Sequence, residues 1–226
     1  MSSRRFLEPT QRPLTAPEVR TLRSRGAALV RRGRRATASA IPIGAGFIGV
    51  LWALTMLASE APWTVVTGFW LLVGAGITWW ARRDLKKDQW QSDAVADRIA
   101  SALRRNIADV YEIRATAYVD IEEEEDEGAC YAFQVAPQTL LFITGQEFYA
   151  SARFPSLDFA LIYPLDEHGQ SVDMLIQKRG HRTAPVRRVP ATVKTTLDIP
   201  EHLELRTGTL DGIEACLRSS TGPGER

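Results

Sequence analysis

The sequence predicts an α+β membrane protein: a two-helix transmembrane hairpin, followed by a helix and a small antiparallel β barrel or sandwich that ends in a further helix. Three observations predict it. Residues 36–59 and 61–81 form two runs without a charged side chain, interrupted only by Glu60. Lys and Arg flank the outer ends of these runs and are missing between them. After Val110 the apolar period changes from helical to two. Whole-chain averages hide this organisation, because 226 residues with 45% apolar and 24% charged side chains describe an ordinary soluble domain. A mean hydropathy of −0.15 says the same. The net charge of +1 sums two opposed parts: residues 1–90 carry 14 Lys+Arg against 5 Asp+Glu, and residues 91–226 carry 14 against 22.

Each run is long enough to cross a bilayer core of about 30 Å, which needs roughly 20 helical residues. The expected spans are Ala38–Ala58 and Trp63–Trp80, a hairpin over residues 38–81. Ser59-Glu60-Ala61-Pro62 is a tight connection, and Pro62 stands where a helix can begin without losing a needed N–H. Arg31, Arg32, Arg34 and Arg35 precede the first span, and Arg82, Arg83, Lys86 and Lys87 follow the second. The positive-inside rule therefore places both termini in the cytoplasm and the chain in the cell (plasma or inner) membrane. Trp63, Trp79 and Trp80 fall at the two interfaces. Ala45, Gly49 and Ala53, with Gly68, Gly74, Ala75 and Gly76, supply small residues for close helix packing. Their ordinary use is packing of the two spans on each other; homo-oligomer contact is the alternative. Neither span contains an ionisable residue, which argues against a transporter working alone. A cleaved signal peptide ending at Ala61 is a poorer reading, because the first apolar run is long for that purpose.

Residues 1–37 form a basic cytoplasmic arm with ten Arg and two Glu before position 36. Thr15-Ala16-Pro17-Glu18 has capping-box form, and a helix starting there puts Val19, Leu22, Gly26 and Leu29 on one stripe. Such a helix suits an anionic leaflet; a disordered arm that only enforces topology is the plainer reading. Nucleic-acid binding is disfavoured, since no aromatic residues interleave with the bases. Over 82–108 a linker helix is expected, capped by Ser92 or Asp93, with Val95, Ile99, Leu103 and Ile107 on its apolar face.

Residues 109–218 read as the β-rich domain and 219–226 as a disordered tail. Tyr111, Ile113, Ala115, Ala117, Val119 and Ile121 alternate with polar residues as one strand. Further strands are expected at Cys130–Ala136, Thr139–Thr144, Asp158–Tyr163, Val172–Lys178, Val186–Val189 and Val193–Leu197, separated by turn residues. Thr209 caps an expected helix over Leu210–Leu217. A two-span hairpin followed by six or seven strands and one helix is similar in layout to bacterial membrane proteins that carry a pleckstrin-homology-like domain. That resemblance covers residues 38–218 in outline and implies a binding role, since such a shape serves many.

Residues with chemical potential are few. Glu122–Glu127 is an acidic run ending at Gly128; it reads as a solvated hairpin loop or as an electrostatic partner for basic segments. Cys130 and Cys216 repeat with apolar neighbours, as core thiols do. His168, His181 and His202 share no metal-ligand spacing, and no nucleophile elbow or phosphate loop occurs. Gly180, His181, Arg182, Arg187 and Arg188 form a basic stretch near an expected sheet edge, which reads first as a solvated strand edge and otherwise suits lipid headgroups or an acidic peptide. No catalytic, cofactor or metal residue is therefore assigned. The expected function is non-enzymatic: a two-span protein that presents a cytoplasmic β-rich domain to a protein partner or to anionic lipid headgroups. An accessory subunit of a membrane complex is the second reading and a membrane-anchored hydrolase the third.

Overall fold

A computed structural model of the chain describes residues 5–58, 62–123, 128–151, 154–191 and 198–218. It is a mixed α/β structure with two open sheets; among the described residues no barrel closes. Two units make it up: Leu14–Ile107 with Pro164–Asp173, and residues 1–13, 108–163 and 174–226.

The helical unit consists of α1 (Ala16–Ala58) and α2 (Trp63–Arg105), each of 43 residues. At 1.5 Å per residue each is about 64 Å long, twice what a bilayer core requires. The expected arm helix and the first apolar run are thus one element. So are the second run and the expected 82–108 helix, because α2 passes through Ser92 and Asp93 without a break. The helix starts where the capping pattern put it: the Thr15 N–H donates to Glu18 Oε2 at 2.8 Å, and Glu18 is buried. Pro62 precedes α2 with φ −55° and ψ 132°, and its carbonyl accepts the Val65 N–H. At the other end Asn106, at φ 56°, donates its N–H to the Ala102 carbonyl, and Arg104 and Arg105 complement the helix C-terminus. Along α1, Leu22 and Gly26 are buried, and the Gly26 backbone runs closely past Ile99 of α2, itself buried with Ala102. That covers the stripe expected to lie on a leaflet: it packs on α2 instead.

The second unit contains ten described strands, more than the six or seven expected. The six-stranded sheet runs in the order β1 (Arg5–Phe6), β10 (Glu204–Thr207), β6 (Thr139–Gly145), β5 (Ala129–Ala136), β4 (Ala117–Ile121), β9 (Arg187–Val189). The four-stranded sheet runs β2 (Thr10–Pro13), β3 (Ile107–Arg114), β7 (Asp158–Pro164), β8 (Leu175–Lys178). Residues 5–13 therefore give one strand to each sheet rather than forming a free arm. The pairing is mixed, because β9 lies parallel to β4. The single strand expected from Tyr111 to Ile121 is two strands in different sheets. Its switch point is explicit: the Ala115 N–H donates to the Leu157 carbonyl beside β7, and the next N–H, of Thr116, donates to Gln134 on β5. Val193–Leu197, Glu124–Glu127, Ser59–Ala61 and 219–226 lie outside the described residues.

Strands β5 and β6 are buried on both faces, which is why they read as nearly continuous apolar runs. Tyr131, Phe133, Leu141 and Ile143 point into a core shared with Ile113, Phe159 and Leu161 of the four-stranded sheet, so the two sheets form a sandwich. Cys130, Ala132, Leu140 and Phe142 point the other way, where Leu210, Ile213 and Leu217 cover them. The last two belong to α3 (Ile213–Arg218), shorter than expected, although the three anticipated apolar residues are buried. Phe133, Phe142, Phe148, Phe154 and Phe159 are all fully buried; truncating one such ring to Ala costs about 3–5 kcal/mol.

Candidate functional site

The surface that departs furthest from a soluble protein is the outside of the helical pair. Among the described residues one segment, Trp63–Trp80, is long and apolar enough to cross a membrane. Of its residues only Val66 is buried. The described apolar part of the other run is Gly49–Ala58. Leu54, Leu57, Val65, Phe69, Leu71, Leu72, Trp79 and Trp80 are all exposed, a density of bare apolar side chains that water does not tolerate on a soluble surface.

Between the helices the contacts are specific. Trp52 Nε1 donates to Thr67 Oγ1 and Trp70 Nε1 donates to Thr55 Oγ1, both at 3.2 Å, while Thr55 Oγ1 donates back to the Leu51 carbonyl at 2.8 Å. Two reciprocal indole–hydroxyl pairs thus cross the hairpin inside its apolar part. Sequence reasoning missed them; the signal was a Thr and a Trp three residues apart in each of two charge-free runs. Three of the small residues do not serve this packing. A Cβ added at Gly49, Gly68 or Gly76 would meet nothing within 4 Å. The expectation that these glycines seat one span on the other is therefore corrected, and Ala45 lies outside the described side chains.

Spacing organises the exposed face of α2. Val65, Leu72, Trp79 and Lys86 recur every seven residues, and Arg83 and Trp90 fall on the same side at 3.6 residues per turn. The face changes from apolar to basic and aromatic along its length. Arg83 leans back over the Trp79 ring, its Cζ 5.9 Å from the centroid. Lys86, Lys87, Trp90 and Asp93 then line an open hollow of about 420 Å³, and Trp90 is 78% exposed.

At the far end of the pair, residues 164–173, the connection between β7 and β8, are held by helix side chains. Arg98 Nε meets Asp166 Oδ2 at 3.2 Å and its Nη2 donates to the Ser171 carbonyl, while Arg105 Nη1 donates to the Asp166 carbonyl. Ser101 Oγ accepts the Glu167 N–H, and Arg25 Nη1 spans both oxygens of Asp173 at 2.9 and 2.8 Å. Asp166 Oδ1 accepts the N–H groups of Gln170 and His168. The Gln170 N–H first, with Arg98 and the His168 N–H, holds the Asp166 carboxyl below the usual carboxylate range. His168 takes part through its backbone; its ring is exposed.

In the sandwich, His202 is half-buried and both ring nitrogens are engaged. The Thr144 N–H donates to Nδ1 at 3.3 Å, which leaves the proton on Nε2, 2.9 Å from Tyr163 Oη, and the ring stacks on Phe148. Burial pushes the His202 pKa down, against the opposing pull of the Glu147 charge. Burial likewise pushes Tyr163 up to about 12. This imidazole is fixed neutral between a backbone donor and a phenol, an arrangement that supports packing and offers no nucleophile. His181 is exposed. Cys130 is buried, and Cys216, half-buried, points its thiol at the Thr207 carbonyl; both are thiols rather than halves of a disulfide. Burial raises the Cys216 pKa. Glu123 Oε1 accepts the Tyr149 O–H at 2.6 Å and the Gly128 N–H at 3.0 Å, so the start of the acidic run anchors its own hairpin. Arg187 and Arg188 sit on the edge strand β9 and face Glu214 at 3.5 Å and Asp120 at 3.4 Å. Among the described residues no group of three metal ligands converges. No family model, curated protein or solved structure matches the chain.

Proposed function

We propose that the chain is a two-span integral membrane protein, with both termini in the cytoplasm, that carries its β-sandwich there as a non-enzymatic binding module for a protein partner or lipid headgroups. The observation that carries this reading is the exposed apolar surface of Trp63–Trp80, bounded by Trp63 at one end and by Trp79, Trp80 and Arg83 at the other. The charge-free sequence of 36–58 lies on one continuous helix, which supports a second crossing. Polar satisfaction is consistent with lipid as the solvent, because Thr55, Thr67, Trp52 and Trp70 answer one another across the hairpin. A reporter fused after Arg226 should be active only in its cytoplasmic form, and the chain should stay with membranes through alkaline carbonate washing. Release by carbonate, or a reporter active outside the cytoplasm, would refute the reading.

A second reading, an accessory subunit of a membrane complex, is favoured by one observation: Gly49, Gly68 and Gly76 are open and unused by the hairpin. Substituting all three by Leu should leave the hairpin folded and remove a co-purifying membrane partner. Unchanged co-purification counts against it. A hydrolase has no such support, since His202 is engaged by Thr144 and Tyr163, and His168 and His181 are exposed.

A further inference from the structure

We infer that the hollow lined by Lys86, Lys87 and Trp90 on α2 is a binding face for the phosphate headgroup of an anionic phospholipid. The inference rests on the membrane reading above. Lys86 stands six residues past Trp80 and Trp90 ten, so their Cα atoms lie about 9 Å and 15 Å along the axis beyond the apolar segment. Cα–Cβ bonds of a helix tilt toward its N-terminus, and long side chains follow them. For α2 that direction is back toward Trp63–Trp80, so Lys86, Lys87 and Trp90 reach toward the headgroups rather than away. Arg83 shows the lean directly, with its guanidinium over Trp79, one turn nearer the apolar segment. Arg31 on α1 has the opposite polarity: that helix begins in the expected cytoplasmic arm, so the Arg31 side chain tilts away from the apolar run.

Charge and shape select the occupant. Arg83, Lys86 and Lys87 present three positive charges on an exposed, unbroken helix surface, where anionic headgroups are the complementary partner. Trp90, 78% exposed, walls the hollow on the side away from the apolar segment; with its Cα about 15 Å out it stands past a headgroup layer of about 5–8 Å, so the two lysines make the phosphate contact. Asp93 closes the end of the hollow farthest from the apolar segment, where its carboxylate is spaced from the phosphate.

The test uses the full chain in neutral detergent with equal amounts of phosphatidylglycerol and phosphatidylcholine, and quantifies the retained lipids by mass spectrometry. Wild type should retain phosphatidylglycerol in excess. Lys86→Gln with Lys87→Gln should lower the ratio by up to about 30-fold, which corresponds to about 1 kcal/mol for each base near a headgroup surface. Arg20→Gln with Arg23→Gln, exposed on α1, should leave it unchanged. As a check that needs no variant, raising salt to about 1 M, where the screening length is about 3 Å, should erase the wild-type preference. An unchanged ratio in the lysine variant, an equal fall in the α1 variant, or a preference that survives salt overturns the proposal. If the chain needs no detergent and stays in the carbonate supernatant, the membrane reading fails as well; if it is membrane-integral without lipid preference, only this inference fails.

Discussion

Replacing Gly26 by Leu separates two geometries of the N-terminal helix. In the structure an ideal Cβ at this position stands 3.3 Å from Ile99 Cγ2 and 3.9 Å from Ile99 Cβ and Cδ1. A single methyl, as in Gly26→Ala, meets a contact tight by a few tenths of an ångström, but removing a mid-helix glycine is worth about 1 kcal/mol. The two effects nearly cancel, and Gly26→Ala should be close to neutral. Leu adds three further carbons against Ile99, which is 3% exposed, beside the fully buried Leu22. Overpacking of that kind costs about 1–3 kcal/mol. For a chain of this size each kcal/mol moves the thermal midpoint by about 2–4 °C. Circular dichroism melts in mild detergent read the shift, and hydrogen exchange over residues 16–31 and 91–105 localises it. Ile99→Ala alone should destabilise by about 2–5 kcal/mol, yet combined with Gly26→Leu it should return part of that cost, a coupling of about 0.5–3 kcal/mol. If Gly26→Leu melts with Gly26→Ala and shows no coupling to Ile99→Ala, the stripe does not pack on α2. A helix lying on a leaflet would give that result, because Leu would simply enter the lipid.

Thr55→Val removes the acceptor of the Trp70 indole while keeping its shape, and should lower hairpin stability in detergent by about 0.6–1.7 kcal/mol, with Thr67→Val adding a similar amount; midpoints identical to wild type would show that the indole pairs contribute nothing. Gly128 sits at φ +92°, and a Cβ there would lie 2.6 Å from the Gln146 backbone nitrogen, so Gly128→Ala should cost about 1–3 kcal/mol and loosen the Glu123–Tyr149 contact, read as lost protection in the β5–β6 hairpin. His202 has its folded-state pKa below the ordinary 6.5, so folding favours its neutral form: the stabilisation is whole above about pH 6.5 and is lost as pH falls through the lower folded value. His202→Gln should therefore flatten the stability profile between pH 7 and pH 5 relative to wild type, and parallel profiles would refute the assignment.

The helices were legible because a charge-free run of twenty residues has few alternatives, and α1 ends at Ala58 and α2 starts at Trp63 where expected, whereas the continuity of each helix into its flanking segment was not. Ser92 and Asp93 have the chemistry of an N-cap, but the same residues sit quietly in mid-helix when the apolar face on either side keeps its partner. Here Ile99 and Ala102 stay buried about two and nearly three turns on, and nothing local distinguishes that case from a new start. The β domain shows a related limit. Period-two alternation runs unbroken from Tyr111 to Ile121 although its two halves enter different cores: Ile113, flanked by Tyr111 and Ala115, faces the core between the sheets, whereas Val119 and Ile121 face the one covered by Leu210, Ile213 and Leu217. The alternation is silent about both sheet and core, so the switch at Ala115–Thr116, visible in two consecutive N–H groups, leaves no trace in the pattern. Strands β1 and β2 carry no alternation; they form because β10 and β3 offer unpaired edges, a tertiary cause.

The candidate site depends on the same continuity. As sequence, Arg83, Lys86 and Lys87 are a topology signal, a count of bases after a span, and Trp90 is one more aromatic. Seven-residue spacing from Val65 through Leu72 and Trp79 to Lys86 becomes one physical face only if the helix does not break between 81 and 92. A cap at Ser92 after a short non-helical linker would scatter those bases in direction and reduce them to a net charge near the leaflet. An unbroken α2 instead aligns them with the apolar face and fixes the way their side chains lean. Long-range charge falls off over about 8 Å at physiological salt, so this alignment, rather than the number of bases, decides whether they meet a headgroup at contact distance. A single helix-breaking substitution between the two regions, such as Leu85→Pro, should therefore abolish the lipid preference while leaving every positive charge in place.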